Sequence, residues 1–223
     1  MCGLVGVIGT IYNQEKKAFR NLLELDVYRG PHSTGIAIVE KNDDVELVKA
    51  VGRPWRLYKE YPDKFDDEDI LKSFNIKALI GHNRYATIGD KTPENAHPFM
   101  HGNIVGAHNG TLDKAHLHRI DGHKFDVDSE ALIHSFNEKG WKETLNNTKG
   151  AWALTWFDKS DSRMHFIRNN ERPLYWTFTV DGQNMYWASE EWMLEMALAQ
   201  ANVKHQSINL FDKFQHHYID ISK

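Results

Sequence analysis

The second residue of the chain is a cysteine, and it is the only one among 223 residues. A small residue at that position is what removal of an initiator methionine requires, so the sequence predicts Cys2 as the working N-terminus. An N-terminal cysteine joins a nucleophile to its own base. Its α-amine, of unperturbed pKa about 7.7–8.0, can take the proton of a thiol of about 8.5. The plainer reading is a buried cysteine opening a strand, and position alone leaves that reading ahead. Farther along, His108-Asn109-Gly110-Thr111 sets a carboxamide beside a glycine. Asn109 Nδ2 and the Gly110 N–H can converge on one point and hold an oxyanion, although Asn-Gly is also a common turn pair. In Gly81-His82-Asn83-Arg84-Tyr85-Ala86-Thr87, Arg84 can clamp a carboxylate at two points; a lone arginine more often forms a surface ion pair. Asp128-Ser129-Glu130 offers a carboxylate to an ammonium group or, more simply, caps a helix.

Thirteen histidines call for a metal search. His116-Leu117-His118 and His216-His217 come without cysteine and without HExxH spacing, so no metal is expected. His97 and His108 are read as structural. Trp152, Trp156 and Trp187 fall in strand-like runs and are read as core.

The elements that must position these residues can be read from periodicity. Residues 2–9 are apolar and β-branched and end at glycine, a short buried strand. Phe19, Leu22, Leu23 and Leu25 give residues 14–26 the spacing of an amphipathic helix. Residues 34–39 and 45–51 read as strands flanking the turn at 41–44. The acidic stretch 63–69 is expected to open a helix running to Phe74, since carboxylates favour a helix N-terminus. Residues 76–80 and 103–107 read as strands, each leading into a polar cluster, with a long turn-rich loop at 84–98 between them. A helix is expected at 128–137. Four strand-like runs follow at 151–157, 164–168, 174–180 and 184–188, with Asp181-Gly182 as a hairpin turn. A helix at 190–201 and a strand at 217–221 complete the reading, which gives one α+β domain of mostly antiparallel strands.

Composition bounds the function. Lys+Arg 27 against Asp+Glu 31 leaves a formal charge of −4, too weak to argue for nucleic acid or an anionic membrane. One cysteine excludes an internal disulfide. No apolar run approaches the ~20 residues of a membrane span, and no signal peptide is evident. A cytoplasmic protein is expected.

Singly these signals are weak, but their order is not. Met1-Cys2-Gly3-Leu4-Val5-Gly6, Tyr28-Arg29-Gly30-Pro31-His32-Ser33-Thr34-Gly35, the Gly81 to Thr87 run, Glu94-Asn95-Ala96-His97-Pro98-Phe99, Ala107-His108-Asn109-Gly110-Thr111-Leu112, Asp128-Ser129-Glu130, Arg172-Pro173-Leu174 and Ala188-Ser189-Glu190-Glu191 follow one another along the chain. In these motifs the chain resembles class II glutamine amidotransferase domains, the N-terminal-nucleophile glutaminases. It looks most like the glutaminase half of amidophosphoribosyltransferase, then that of glucosamine-6-phosphate synthase.

The resemblance implies an α+β fold: a four-layer αββα sandwich of two antiparallel sheets, the Ntn-hydrolase fold. It implies Cys2 as nucleophile, its α-amine as base, and Asn109 with Gly110 as oxyanion hole. Arg84 would bind the glutamine α-carboxylate and Asp128 its α-ammonium, with Thr87 and Tyr85 lining the pocket. Arg29, Gly30 and His97 would support the site. Tyr85 stands where some relatives have tryptophan, Ile88 replaces a histidine of the sugar-synthase branch, and Pro31-His32 departs from the usual second motif. The reaction implied is hydrolysis of glutamine to glutamate and ammonia through a thioester, with no metal or organic cofactor. Residues 1–223 are expected to be one glutaminase domain with no synthase domain. A separate acceptor or synthase subunit is then expected to take the ammonia. Two alternatives stand beside this: an amidohydrolase of the same fold acting on another amide, and a catalytically idle regulatory or binding module.

Overall fold

A computed structural model describes residues 2–113 and 125–222. In chain order the elements are β1 (Gly3–Gly9), α1 (Asn13–Asp26), β2 (Ser33–Glu40), β3 (Val45–Val51), α2 (Pro54–Glu60), β4 (Ile76–Arg84), β5 (Phe99–His101) and β6 (Ile104–Leu112). Then come α3 (Asp128–Lys139), α4 (Trp141–Asn146), β7 (Gly150–Asp158), β8 (Arg163–Arg168), β9 (Tyr175–Phe178), β10 (Asn184–Ala188), α5 (Glu191–Gln200), β11 (Asn209–Leu210) and β12 (His217–Asp220). The strands form two sheets, ordered β11-β9-β10-β1-β4-β2-β3 and β12-β8-β7-β6-β5. Every pairing in them is antiparallel.

Side-chain alternation decides the layering. In β1, Val5 and Val7 point to a core shared with Phe19, Leu22 and Leu23 of α1, Leu57 of α2 and Leu194 and Leu198 of α5. Leu4 and Ile8 point the other way, into a core between the sheets with Val105, Ala153, Phe157, Phe166 and Trp187. The second sheet repeats the device. Trp152, Leu154 and Trp156 turn outward onto Leu132, Ile133 and Phe136 of α3, with Trp141 and Leu145 of α4 packed beside them. The result is helix, sheet, sheet, helix, the expected four layers. Sheets with both faces covered explain why β4 is buried along its whole length.

Two expectations need correction. No helix occupies 63–74. Asp66 spends its carboxylate accepting the N–H groups of Glu68 and Ile70, both at 2.9 Å. Asp69 takes φ of 60°, and Phe65 bridges to Leu71. A side chain that bonds nearby backbone this way competes with helix formation, and the helix of this region is α2, earlier in the chain. The polar clusters after the 76–80 and 103–107 strands also do not leave the sheets. β4 runs on through His82, Asn83 and Arg84, and β6 through His108, Asn109 and Gly110. They remain strands because the buried polar groups find partners: Asn83 Nδ2 donates to the Leu23 carbonyl at 2.7 Å, and His82 Nε2 lies 3.2 Å from the His108 carbonyl of the facing sheet.

Candidate active site

Cys2 stands at the entry to β1, a central strand held between β4 and β10. Its Sγ is bracketed by one residue's backbone: it accepts the Tyr85 N–H at 3.3 Å and donates to the Tyr85 carbonyl at 3.5 Å. Its own carbonyl accepts from Arg29 Nε at 2.9 Å. Arg29 is in turn ion-paired to Glu190, at the start of α5. Burial pushes the thiol pKa up; the Tyr85 backbone, the N-terminal charge and Arg84 pull it down, while Asp26 adds to the rise.

Gly30 is fixed by a close approach. A Cβ there would come within 2.5–2.6 Å of the backbone of Asn83, Arg84 and Tyr85, so glycine alone lets this turn lie against the end of β4. That contact locates the Tyr85 peptide against Cys2. Tyr85 itself is exposed, and its ring packs at 4.6 Å on His32, whose Nδ1 accepts the Ala86 N–H at 3.0 Å.

Arg84 is 2% exposed and its guanidinium is folded back on its own loop. It donates to the Asp90 carbonyl at 2.8 Å, to Gly89 at 3.4 Å, and to Ile88. Burial works against its charge, and Cys2 and Asp128 are the groups that support it. Gly89 of the same loop lies against Asp126, just before α3. At the start of α3, Asp128 is buried, accepting the Leu112 N–H at 2.8 Å and the Ser129 N–H at 2.9 Å. The loop therefore brings the predicted carboxylate-binding and ammonium-binding groups into one neighbourhood. Thr87 is exposed on that loop.

Asn109 and Gly110 lie in β6, opposite Ala153 and Trp152 of β7. Asn109 is buried; its Nδ2 donates to Ser189 Oγ at 3.3 Å, and its Oδ1 has no hydrogen-bond partner among the described residues. Ser189 Oγ also accepts the Leu4 N–H at 2.9 Å. One hydroxyl thus ties the oxyanion-hole candidate in the second sheet to the strand that carries Cys2 in the first. His97 is buried behind the site with its ring stacked on His82 at 3.9 Å, and burial pushes both imidazoles down, His82 to about 3. Both serve the packing behind the site, His82 also meeting the His108 carbonyl.

Sequence reading missed four participants: Asp26, Asn83, Ser189 and Glu190. Asp26 had a signal. At helical spacing it falls four residues after Leu22 and seven after Phe19, on the apolar stripe of α1, where a carboxylate is out of place. The other three stood inside quoted motifs, but nothing in spacing assigned them partners.

His116 and His118 lie outside the described residues. Among the described ones, Asp158, Asp161 and His165 bring three ligand atoms within 4.8 Å of one another at the β7–β8 turn. Asp158 Oδ1 is already engaged there by Ser160 N–H and Oγ. A concavity of about 660 Å³ over α4, lined by Trp141, Trp152, Asn169 and Phe214, contains none of the predicted site residues.

A family profile described as the glutamine amidotransferase domain matches residues 64–222. Among curated proteins, a glutamine–fructose-6-phosphate aminotransferase (isomerizing) of Wigglesworthia glossinidia brevipalpis is 32% identical over 190 residues, which is 82% of this chain and 28% of that protein. The chain spans about a third of the length of the curated relatives it matches. Among solved structures, the glutamine phosphoribosylpyrophosphate amidotransferase of B. subtilis, complexed with ADP and GMP, matches 99% of this chain and 49% of its own, with TM-score 0.67 and 20% identity. A glutamine aminotransferase class-II domain protein of Silicibacter pomeroyi matches 98% of this chain and 94% of its own, with TM-score 0.61 and 12% identity.

Proposed function

Since the chain belongs to the glutamine amidotransferase domain family, we propose that it hydrolyses the side-chain amide of glutamine, using Cys2 freed by removal of Met1. The observation that carries this reading is the seating of the lone thiol. Cys2 opens a buried central strand, with its sulfur held by the Tyr85 peptide and its carbonyl by Arg29. A surface or packing cysteine needs neither anchor.

The steps follow from the groups present. The α-amine takes the thiol proton, and sulfur attacks the side-chain carbonyl of glutamine. Asn109 Nδ2 and the Gly110 N–H receive the oxyanion. The ammonium returns its proton to the leaving ammonia, and water activated by the same amine then releases glutamate from the thioester. Arg84 takes the substrate α-carboxylate by exchanging its loop carbonyls for a charged acceptor, a stronger partner. Asp128 faces the α-ammonium, Thr87 and Tyr85 border the opening, and Arg29, Gly30 and His97 hold the frame.

The curated relatives are named as aminotransferases that act on fructose 6-phosphate, and they extend well beyond the region matched. For this chain we read residues 1–223 as one glutaminase domain that supplies ammonia to a separate acceptor subunit. We place it in the cytoplasm, where a lone catalytic thiol stays reduced. No helix among the described residues is long and apolar enough to cross a membrane.

Intact mass before and after 6-diazo-5-oxo-norleucine, a glutamine-mimicking electrophile, tests the proposal. The expected result is loss of Met1 and one adduct, absent from Cys2→Ala. Retained Met1 with no adduct would turn the reading to a binding module of this fold, and processing without an adduct would turn it to a different amide substrate.

A further inference from the structure

Asp26 ends α1 and is fully buried. Its carboxylate fills the space over Gly3, the residue after Cys2, so closely that a Cβ on Gly3 would overlap Oδ1 at 1.5 Å. Oδ2 accepts the Asn83 N–H at 3.0 Å. Oδ1 has no hydrogen-bond partner among the described residues. The Asn83 carboxamide faces the carboxylate, but its Nδ2 donates to the Leu23 carbonyl at 2.7 Å and its Oδ1 accepts from Thr34 Oγ1 at 2.5 Å.

A buried carboxyl with an idle oxygen is costly to keep, which argues for a purpose beyond packing. The charges that act on it and on Cys2 are few. Arg29 lies after α1, with Glu190 as its ion-pair partner; the thiol lies at the entry to β1; Arg84 ends β4; and the N-terminal charge of the unprocessed chain acts on both. Burial pushes the Asp26 pKa up to about 7, so its charge changes in the range where the enzyme must work.

Resting on the reading of Cys2 as nucleophile, we propose that Asp26 is a positioning carboxylate for the N-terminal residue, holding the proton on the Cys2 thiol in the resting site. A negative charge beside the thiol disfavours thiolate. The resting thiol is thereby kept out of its oxidisable form until the attack step.

The test uses the single cysteine. The rate of Cys2 alkylation by iodoacetamide is measured against pH in the wild-type chain and in Asp26→Asn. Asparagine keeps the shape and an acceptor for the Asn83 N–H. The expected result is a half-maximal rate about one pH unit lower in the variant, a gain of about tenfold at pH 7. The acidic limb of kcat/KM for glutamine moves in the same direction. Superimposable alkylation profiles from two folded proteins would overturn the proposal. If Asp26→Asn fails to fold, the ¹³C shift of the Asp26 carboxyl in the wild-type chain decides: titration near pH 7 supports the role, and titration in the ordinary carboxylate range overturns it. Alkylation needs no substrate, so failure of the glutaminase reading, seen in the mass experiment above, is distinguishable from failure of this one.

Discussion

A buried acid also leaves a mark on stability. Asp26 ionises near 7 in the folded chain, about three units above an ordinary aspartate. Because the folded pKa is raised, the stability it contributes is complete below the unfolded pKa and is lost as pH climbs through 7. Asparagine mimics the protonated form at every pH. The melting temperature of Asp26→Asn, measured relative to wild type, is therefore expected to rise between pH 4.5 and pH 8. The change is worth up to about 4 kcal/mol. A difference independent of pH would mean that Asp26 titrates normally. At this scale the sequence was legible in part. Cys2, Arg84, Asn109 and Asp128 could be picked out because their types suit the chemistry. Asp26 escaped because its importance lies in what it is packed under, and Ser189 because its two partners come from residues 4 and 109.

Ser189 belongs equally to the scale of elements. It follows β10 and accepts from Leu4 in β1 and from Asn109 in β6, joining the two sheets at the site. Alanine there would leave a backbone N–H and a carboxamide without partners in a dry interior, at a cost of about 1–3 kcal/mol. Ser189→Ala is expected to melt several degrees lower, and to lose more kcat/KM than the stability change explains, because Asn109 is no longer held. Wild-type values of both would show that the hydroxyl is incidental. The strand-length errors share a cause. Polar residues at 82–84 and 108–110 read as clusters beyond the strands because strands are expected to bury apolar faces; in the structure His82 meets the His108 carbonyl of the facing sheet, while Asn83 bonds Leu23 of α1 and Asn109 bonds Ser189. The 63–74 error is of the opposite kind. Its carboxylates suited a helix N-terminus, but Asp66 bonded its own turn instead.

At the scale of the whole molecule, three imidazoles lie in the packed region behind the site. His82, His97 and His108 are 0–2% exposed, and burial holds all three below the usual histidine range. Their stability contribution is present above about pH 6.5 and is lost as pH falls toward the folded value, about 3 for His82. For His82 alone the loss by pH 5 is about 2 kcal/mol. Asp26 moves the opposite way over the same range and offsets one histidine of the three. The urea midpoint is expected to fall between pH 7 and pH 5, with proton uptake on unfolding; a midpoint that holds or rises would mean that the imidazoles are hydrated. The four layers were legible only through the family resemblance; periodicity alone gave one α+β domain of mostly antiparallel strands. In the structure, alternation in β1, β2, β6 and β7 sorts their residues onto two faces, and two-faced burial of that kind requires cover on both sides of each sheet. What alternation does not fix is strand order, and that order places Cys2 where it is.

In that order β1 lies between β4 and β10, with Val5 opposite Ala188. A ribosome delivers β1 long before β10 exists. At 5–20 residues per second the interval is roughly 10–40 s, during which the strand bearing Cys2 lacks the neighbour that closes one of its edges. On the proposal that Met1 is removed, an aminopeptidase meets the N-terminus in this period before Glu190, the ion-pair partner of the arginine that holds the Cys2 carbonyl, has been made. Among the groups that seat the nucleophile, the one translated last completes the anchor.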